Sequence, residues 1–185
     1  MFDLTGRTAL VTGGAKGIGR SIAAGLAKQG AHTVIADVDA AAEQTADLIK
    51  KENGRAMAVQ MDVTDLEMVR QAVKTVQSQF GDIDILVNNA GWDRIVPFAE
   101  TTPDFWQKVI DINYKGVLNC VYAVLHDMMA RNSGKIISIG SDAARVGSSG
   151  EAVYAGVKGA VISFSKSLAR EVARNRITVN VICPG

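Results

Sequence analysis

Cysteine is nearly absent from this sequence: Cys120 and Cys183 are the only two in 185 residues, far apart and without CxxC spacing. That excludes a disulfide framework and a cysteine zinc site, so the thiols read as free in a reducing cytosol. The two histidines, His32 and His126, sit singly in a strand and a helix pattern and make no metal pair. Excess charge of either sign is missing as well, with 20 Lys and Arg against 19 Asp and Glu. No basic field invites nucleic acid and no acidic tail marks a disordered segment. Charges or glycines interrupt the chain too often for an apolar span of about 20 residues, and MFDLTGR has no signal core, so a cytoplasmic, non-membrane protein is expected. No repeat, linker or low-complexity tract divides residues 1–185, which read as one domain. What is present in quantity is apolar surface: 48% of residues are hydrophobic, enough for a single core at 19.6 kDa.

The apolar residues fall into short β-branched runs, each followed by a longer segment of helical period. RTALVTG, HTVIAD, RAMAVQMDV, DILVNNA, KIISIGS and ITVNVIC read as strands, most of them apolar on both faces. Repetition of βα units implies an α/β fold with a doubly wound parallel sheet in three layers. Thr64 with Glu67 reads as a capping box for a helix from about Asp65 to Gln79, and Thr102 with Pro103 as a cap and N1 proline. The chain stops at CPG directly after a strand, which would leave a long open edge. A C-terminally incomplete domain, lacking a last strand and a substrate lobe, is therefore expected.

After the first strand comes TGGAKGIGRSIAAGLAKQG, with Gly13, Gly17 and Gly19 leading into a helix. Glycine permits a tight turn and close approach to a pyrophosphate, and the helix N-terminus offers free N–H groups. Asp37 ends the second strand at about the spacing where a carboxylate accepts from an adenosine ribose. A carboxylate there repels a 2′-phosphate and favours NAD over NADP, while Lys16 in the turn pulls the other way. Asp37 could instead cap the helix that begins near Ala40. Asp62 and Val63 end the third strand, where Asp62 could meet an adenine edge or cap the next helix. Asn88 to Gly91, NNAG, end the fourth strand, at the edge of the sheet where ligands of such folds gather.

In VYAGVKG, Tyr154 and Lys158 stand one helical turn apart on one face. A free phenol titrates near pH ~10, and a nearby ammonium, helped by an oxidised nicotinamide, would bring it into reach as a general base. Ser141 ends the fifth strand thirteen residues earlier, so a loop can return its hydroxyl to the phenol, where it could bind a carbonyl oxygen. Asn113 interrupts an otherwise apolar helix and suggests a kink or a held water.

TGGAKGIG, NNAG, Asn113, Ser141, YAGVK and CPG, in this order and spacing, resemble the short-chain dehydrogenase/reductase family from Leu4 to Gly185. The resemblance implies a Rossmann-type sheet, NAD or NADP, and a catalytic tetrad of Asn113, Ser141, Tyr154 and Lys158. It further implies cofactor contacts from Gly13, Lys16, Gly17, Ile18, Gly19, Asp37, Asp62, Val63, Asn89, Ala90, Gly91, Tyr154, Lys158, Pro184 and Gly185. In the family's scheme Tyr154 exchanges the proton, Ser141 holds the substrate oxygen, Lys158 tunes the phenol and binds ribose, and Asn113 retains a water. Trp92–Phe98 and Ser141–Tyr154 resemble the segments of the 2-hydroxycyclohexanecarboxyl-CoA dehydrogenases, which implies a cyclic or bulky 3-hydroxyacyl-CoA as substrate. Trp92 would pack on its ring and Arg145 would meet a polar part, whereas Asp93 and Asp142 read as turn residues. A 3-oxoacyl carrier-protein reductase, expected to prefer NADPH, and a catalytically silent nucleotide-binding subunit are the competing expectations. Small residues Ala155, Gly156, Gly159, Ala160 and Ser163 allow another helix to approach closely, and the resemblance implies a subunit interface of this helix with the apolar one near Val117–Met129, hence a homotetramer, with a dimer as the alternative.

Overall fold

The computed structural model describes residues 3–185; Met1 and Phe2, the start of the MFDLTGR segment, lie outside the described residues. The six expected strands are β1 (Thr8–Thr12), β2 (His32–Asp37), β3 (Arg55–Gln60), β4 (Ile83–Asn88), β5 (Gly134–Ile139) and β6 (Ile177–Ile182). They form one parallel sheet in the order β3-β2-β1-β4-β5-β6. The central strand β1 is buried throughout, with Ala9 and Val11 facing one core and Leu10 the other. On the first face pack α1 (Gly17–Lys28) and α2 (Ala41–Lys51) through Ala23, Ala27, Ala46 and Ile49. On the second pack α3 (Leu66–Phe80), α5 (Gly116–Arg131) and α7 (Ala152–Glu171) through Val69, Val73, Val121, Val124, Val161 and Leu168. Small alanines let α1 and α2 lie close, while larger valines and Met128 fill the other layer. The edge strand β6 alternates instead: Thr178, Asn180 and Ile182 are exposed.

Two helix starts separate the cap from its lookalike. The side chain of Asp65, not Thr64, caps α3 by accepting from the N–H groups of Glu67 (2.8 Å) and Met68 (3.1 Å). The Thr64 hydroxyl instead turns back and donates to Asp62 at 2.8 Å. At α4 (Pro103–Ile110) the expected cap is in place, Thr102 Oγ1 accepting from Phe105 N. A short α6 (Ala143–Val146) lies in the loop before α7 and had no periodic signal to announce it. No helix among the described residues is long and apolar enough to cross a membrane.

Sequence order in the sheet reverses between β1 and β4, so their carboxyl ends diverge and open a crevice there. The glycine-rich turn and NNAG meet at that crevice.

Candidate functional site

The turn is shaped by uncharged ties. Asn89 Nδ2 donates to the carbonyls of Thr12 and Gly13, each at 3.0 Å, and Thr12 Oγ1 accepts from the N–H groups of Asn89 and Ala90, each at 3.0 Å. Gly13 adopts φ +62° with its Cα turned to the Ala90 backbone, and a side chain at Gly19 would collide with the Gly13 carbonyl. Glycine is thus required at both positions by contact, not by preference. Asp37 caps no helix: its carboxylate accepts from Ala15 N and Asp39 N, both at 3.0 Å, and so fastens the turn to the end of β2. Asp39 does the local capping, accepting from Ala41 N, and also takes the Lys16 ammonium in an exposed ion pair. That pairing raises the Lys16 pKa, by the hydrogen bond first and then by charge.

A cavity of about 830 Å³ opens over these groups. Gly13, Lys16, Ile18, Gly19, Asp37, Asp62, Val63, Asn89, Ala90, Gly91 and Trp92 line it, as expected. Val38, Asp39, Thr64, Lys108 and Ile112 line it too and were not anticipated. The D-x-D step after β2 was the one available signal, for Asp39. Gly17 takes φ +55° with open space above it, and α1 starts at Lys16 without any side-chain cap. Uncapped N–H groups beside bare glycine suit a phosphate, and Asp37 on the same wall suits a sugar diol, so these residues fit a dinucleotide. Asp62 is a turn former, accepting from Thr64 N at 2.8 Å. Pro184 and Gly185 do not line the cavity; the Pro184 carbonyl accepts from Asp142 N at 3.0 Å.

Gly91 joins the cavity to the second group of residues. A side chain there would stand 2.9 Å from Asn113 Oδ1 and 3.7 Å from Lys158 Nζ. Asn113 lies in a π turn, Asp111–Lys115, between α4 and α5, which is the physical form of the expected kink. Fully buried, it donates through Nδ2 to the carbonyls of Trp92 (2.7 Å) and Val109 (2.9 Å) and accepts from Trp92 N (3.3 Å). Its amide thereby holds the cavity wall at Trp92. Lys158 donates to the Ile139 carbonyl at 2.8 Å and is 4% exposed. Burial pushes its pKa down to about 8, against a smaller opposing contribution from Cys183.

Tyr154 stands near Ser141, with Lys158 Nζ 5.6 Å from its ring centre. Its pKa does not move as the Tyr-Lys spacing suggested. Burial pushes it up, the Ser141 contact opposes, and the carboxylates of Asp93 and Glu151 push it further up. Lys158 is not among the groups that set this shift, and its hydrogen bond goes to the Ile139 carbonyl. Of the two substrate candidates, Trp92 meets the cavity and packs edge-on against Phe105, with the Lys108 ammonium 3.9 Å from its ring centre. Arg145 turns away into an exposed ion pair with Asp142 at 3.1 Å.

A family model described as short chain dehydrogenase matches residues 7–185. The chain is 41% identical over 181 residues to the 3-oxoacyl-(acyl-carrier-protein) reductase FabG of Staphylococcus aureus strain Mu50, covering 97% of this chain and 74% of that protein. It is 43% identical over 186 residues to the oxidoreductase UcpA of Escherichia coli strain K12, covering 100% of this chain and 71% of the relative. Among solved structures, that of gox2181 superimposes with a TM-score of 0.95 at 36% identity, over 98% of this chain and 72% of the other.

Proposed function

Since the chain belongs to the short-chain dehydrogenase family and is an oxidoreductase acting on CH–OH groups, we propose that it interconverts a secondary alcohol and a ketone with NAD. One observation carries the proposal: Asn113 and Lys158 meet behind Gly91 on the cavity wall, and Lys158 adjoins Tyr154 with its neighbour Ser141. When bound, the nicotinamide supplies the acceptor or donor of hydride. Tyr154 takes the proton from the substrate hydroxyl in oxidation and returns it in reduction, and Ser141 donates a hydrogen bond to the substrate oxygen. Lys158 presents a buried ammonium to the same cleft, and Asn113 keeps the Gly91–Trp92 wall in place. NAD is favoured because two carboxylates, Asp37 and Asp39, line the cavity and the cation of the glycine-rich turn, Lys16, is already engaged by Asp39. A 2′-phosphate would have to break that pair.

The substrate we propose is a cyclic or bulky 3-hydroxyacyl-CoA thioester, resting on the Trp92–Phe98 and Ser141–Tyr154 segments and on the aromatic wall of Trp92 and Phe105. A 3-oxoacyl carrier-protein reductase is the second reading, supported by relatives that carry that name. We propose a cytoplasmic location. Subunits would pair across α5 and α7 as a homotetramer, since Gly156 and Gly159 have open space above their Cα atoms and Tyr122 on α5 is half exposed. The test is reduced-nicotinamide formation with cyclic and linear 3-hydroxyacyl-CoA, NAD against NADP, and Tyr154→Phe as control. Turnover of the cyclic thioester that needs NAD and falls by about 10²-fold or more in the variant is expected; preference for NADPH and carrier-protein thioesters would establish the second reading.

A further inference from the structure

Two carboxylates that read in sequence as a turn residue and an unremarked loop residue converge beside Tyr154. Asp93 follows directly on the Gly91–Trp92 wall, and Glu151 is the residue at the start of α7, one turn before Tyr154. With Tyr154 they line one small recess, whose other walls include Val96, Phe98 and Phe105. Asp93 Oδ2 is buried and has no hydrogen-bond donor among the described residues. The segments are pinned together by Val96 N donating to the Gly150 carbonyl at 2.8 Å, with the Gly150 Cα against the Ile95 side chain.

Neither forms an ion pair among the described residues. The cations around them are committed elsewhere: the Arg94 guanidinium lies over the Phe105 ring, Lys108 over Trp92, Arg145 on Asp142, and Lys158 on the Ile139 carbonyl. Around the phenol itself the remaining polar groups are the Ser141 hydroxyl and, against Lys158, Cys183. Two carboxylates in an apolar recess repel any further negative charge there. We infer that Asp93 and Glu151 are positioning residues that favour the protonated Tyr154 phenol, the form that gives up its proton when a carbonyl is reduced. In that direction the phenol O–H bond breaks, and its proton goes to the oxygen of the carbonyl whose carbon receives hydride from the reduced nicotinamide. Consistent with this, burial first and then Glu151 raise the Asp93 pKa, against an opposing hydrogen bond from the Arg94 backbone N–H.

The inference rests on the role proposed for Tyr154, but its test needs neither substrate nor cofactor. An ultraviolet titration of tyrosinate, wild type minus Tyr154→Phe, isolates this phenol from Tyr114 and Tyr122. Asp93→Asn and Glu151→Gln should each move the Tyr154 midpoint to lower pH by about 0.5 unit or more, roughly a threefold gain in phenolate at a given pH, and the double variant further. Circular dichroism checks folding, and Glu151→Gln, at a partly exposed position, keeps the test available should Asp93→Asn not fold. An unmoved midpoint in the folded variants overturns the inference. Should the midpoint move while no alcohol or ketone is turned over, the electrostatic pairing stands and the functional reading falls.

Discussion

The glycine-rich turn and the Tyr154 recess sit on one crevice and are stabilised in contrary ways. Around the turn nearly every group has found its partner: Asn89, Thr12 and Asp37 close its backbone with bonds near 3.0 Å, and glycine stands where any side chain would collide. Around Tyr154 the groups are left wanting. Burial drives the phenol up and the Lys158 ammonium down, each away from its charged form, and a carboxylate oxygen of Asp93 has no donor. A binding surface gains from being finished before its ligand arrives, because ordering it is then already paid for. A proton-transferring centre works through groups poised between two states, and that poise costs stability.

Substitutions can break the contrast or sharpen it. Gly19→Val should act most strongly, since the new side chain meets backbone at Gly13: dinucleotide affinity, read by fluorescence quenching, should fall more than about tenfold, with about 3 kcal/mol of stability lost. Asn113→Ala stands between the regions, because it strips three hydrogen bonds from Trp92 and Val109 while leaving both turn and phenol in place. Urea unfolding should show a loss of about 2–3 kcal/mol. Lys158→Met should have the smallest effect on stability and the opposite sign. The folded pKa of about 8 lies below the ordinary value, so the charge burdens the fold fully below pH 8 and ceases to do so as pH rises towards the unfolded value. Allowing for the lost bond to Ile139, the variant should gain about 1–2 kcal/mol at neutral pH, the gain shrinking under alkaline conditions, while turnover collapses. A destabilised Lys158→Met would show that the recess is as satisfied as the turn.

The strands could be read from sequence because a central parallel strand is apolar on both faces and is followed by glycine or asparagine, as β1 is by Gly13 and β4 by Asn89. The cavity residues followed from the same logic, since a turn at a strand end faces the crevice whatever the details. What could not be read was competition among neighbouring polar groups. Thr64 and Asp65 both suit a helix start, and Asp62 decides between them by taking the threonine hydroxyl. Arg145 could have turned inward, but Asp142, one turn away, offers a nearer partner. The Asp93–Glu151 meeting lies further beyond reach, because it depends on two loops folding onto each other through Val96 and Gly150. The Tyr154–Lys158 spacing announced their adjacency but not the Ile139 carbonyl that the ammonium also holds.

The π turn at Asp111–Lys115 has a consequence for heredity as well as for chemistry. A helix wound there as a regular α-helix would need one residue fewer, and each residue carries about 100° of rotation. Rewinding the segment as a regular α-helix with that extra residue kept would swing α4 against α5 by that angle, whereas a deletion of one residue would leave Val109 in line with Val117, Val121 and Val124. A single-residue deletion between 111 and 115 should therefore spare the packing of both helices and cost the turn that aims the Asn113 amide at Trp92, a length change that the fold would survive and the site would not.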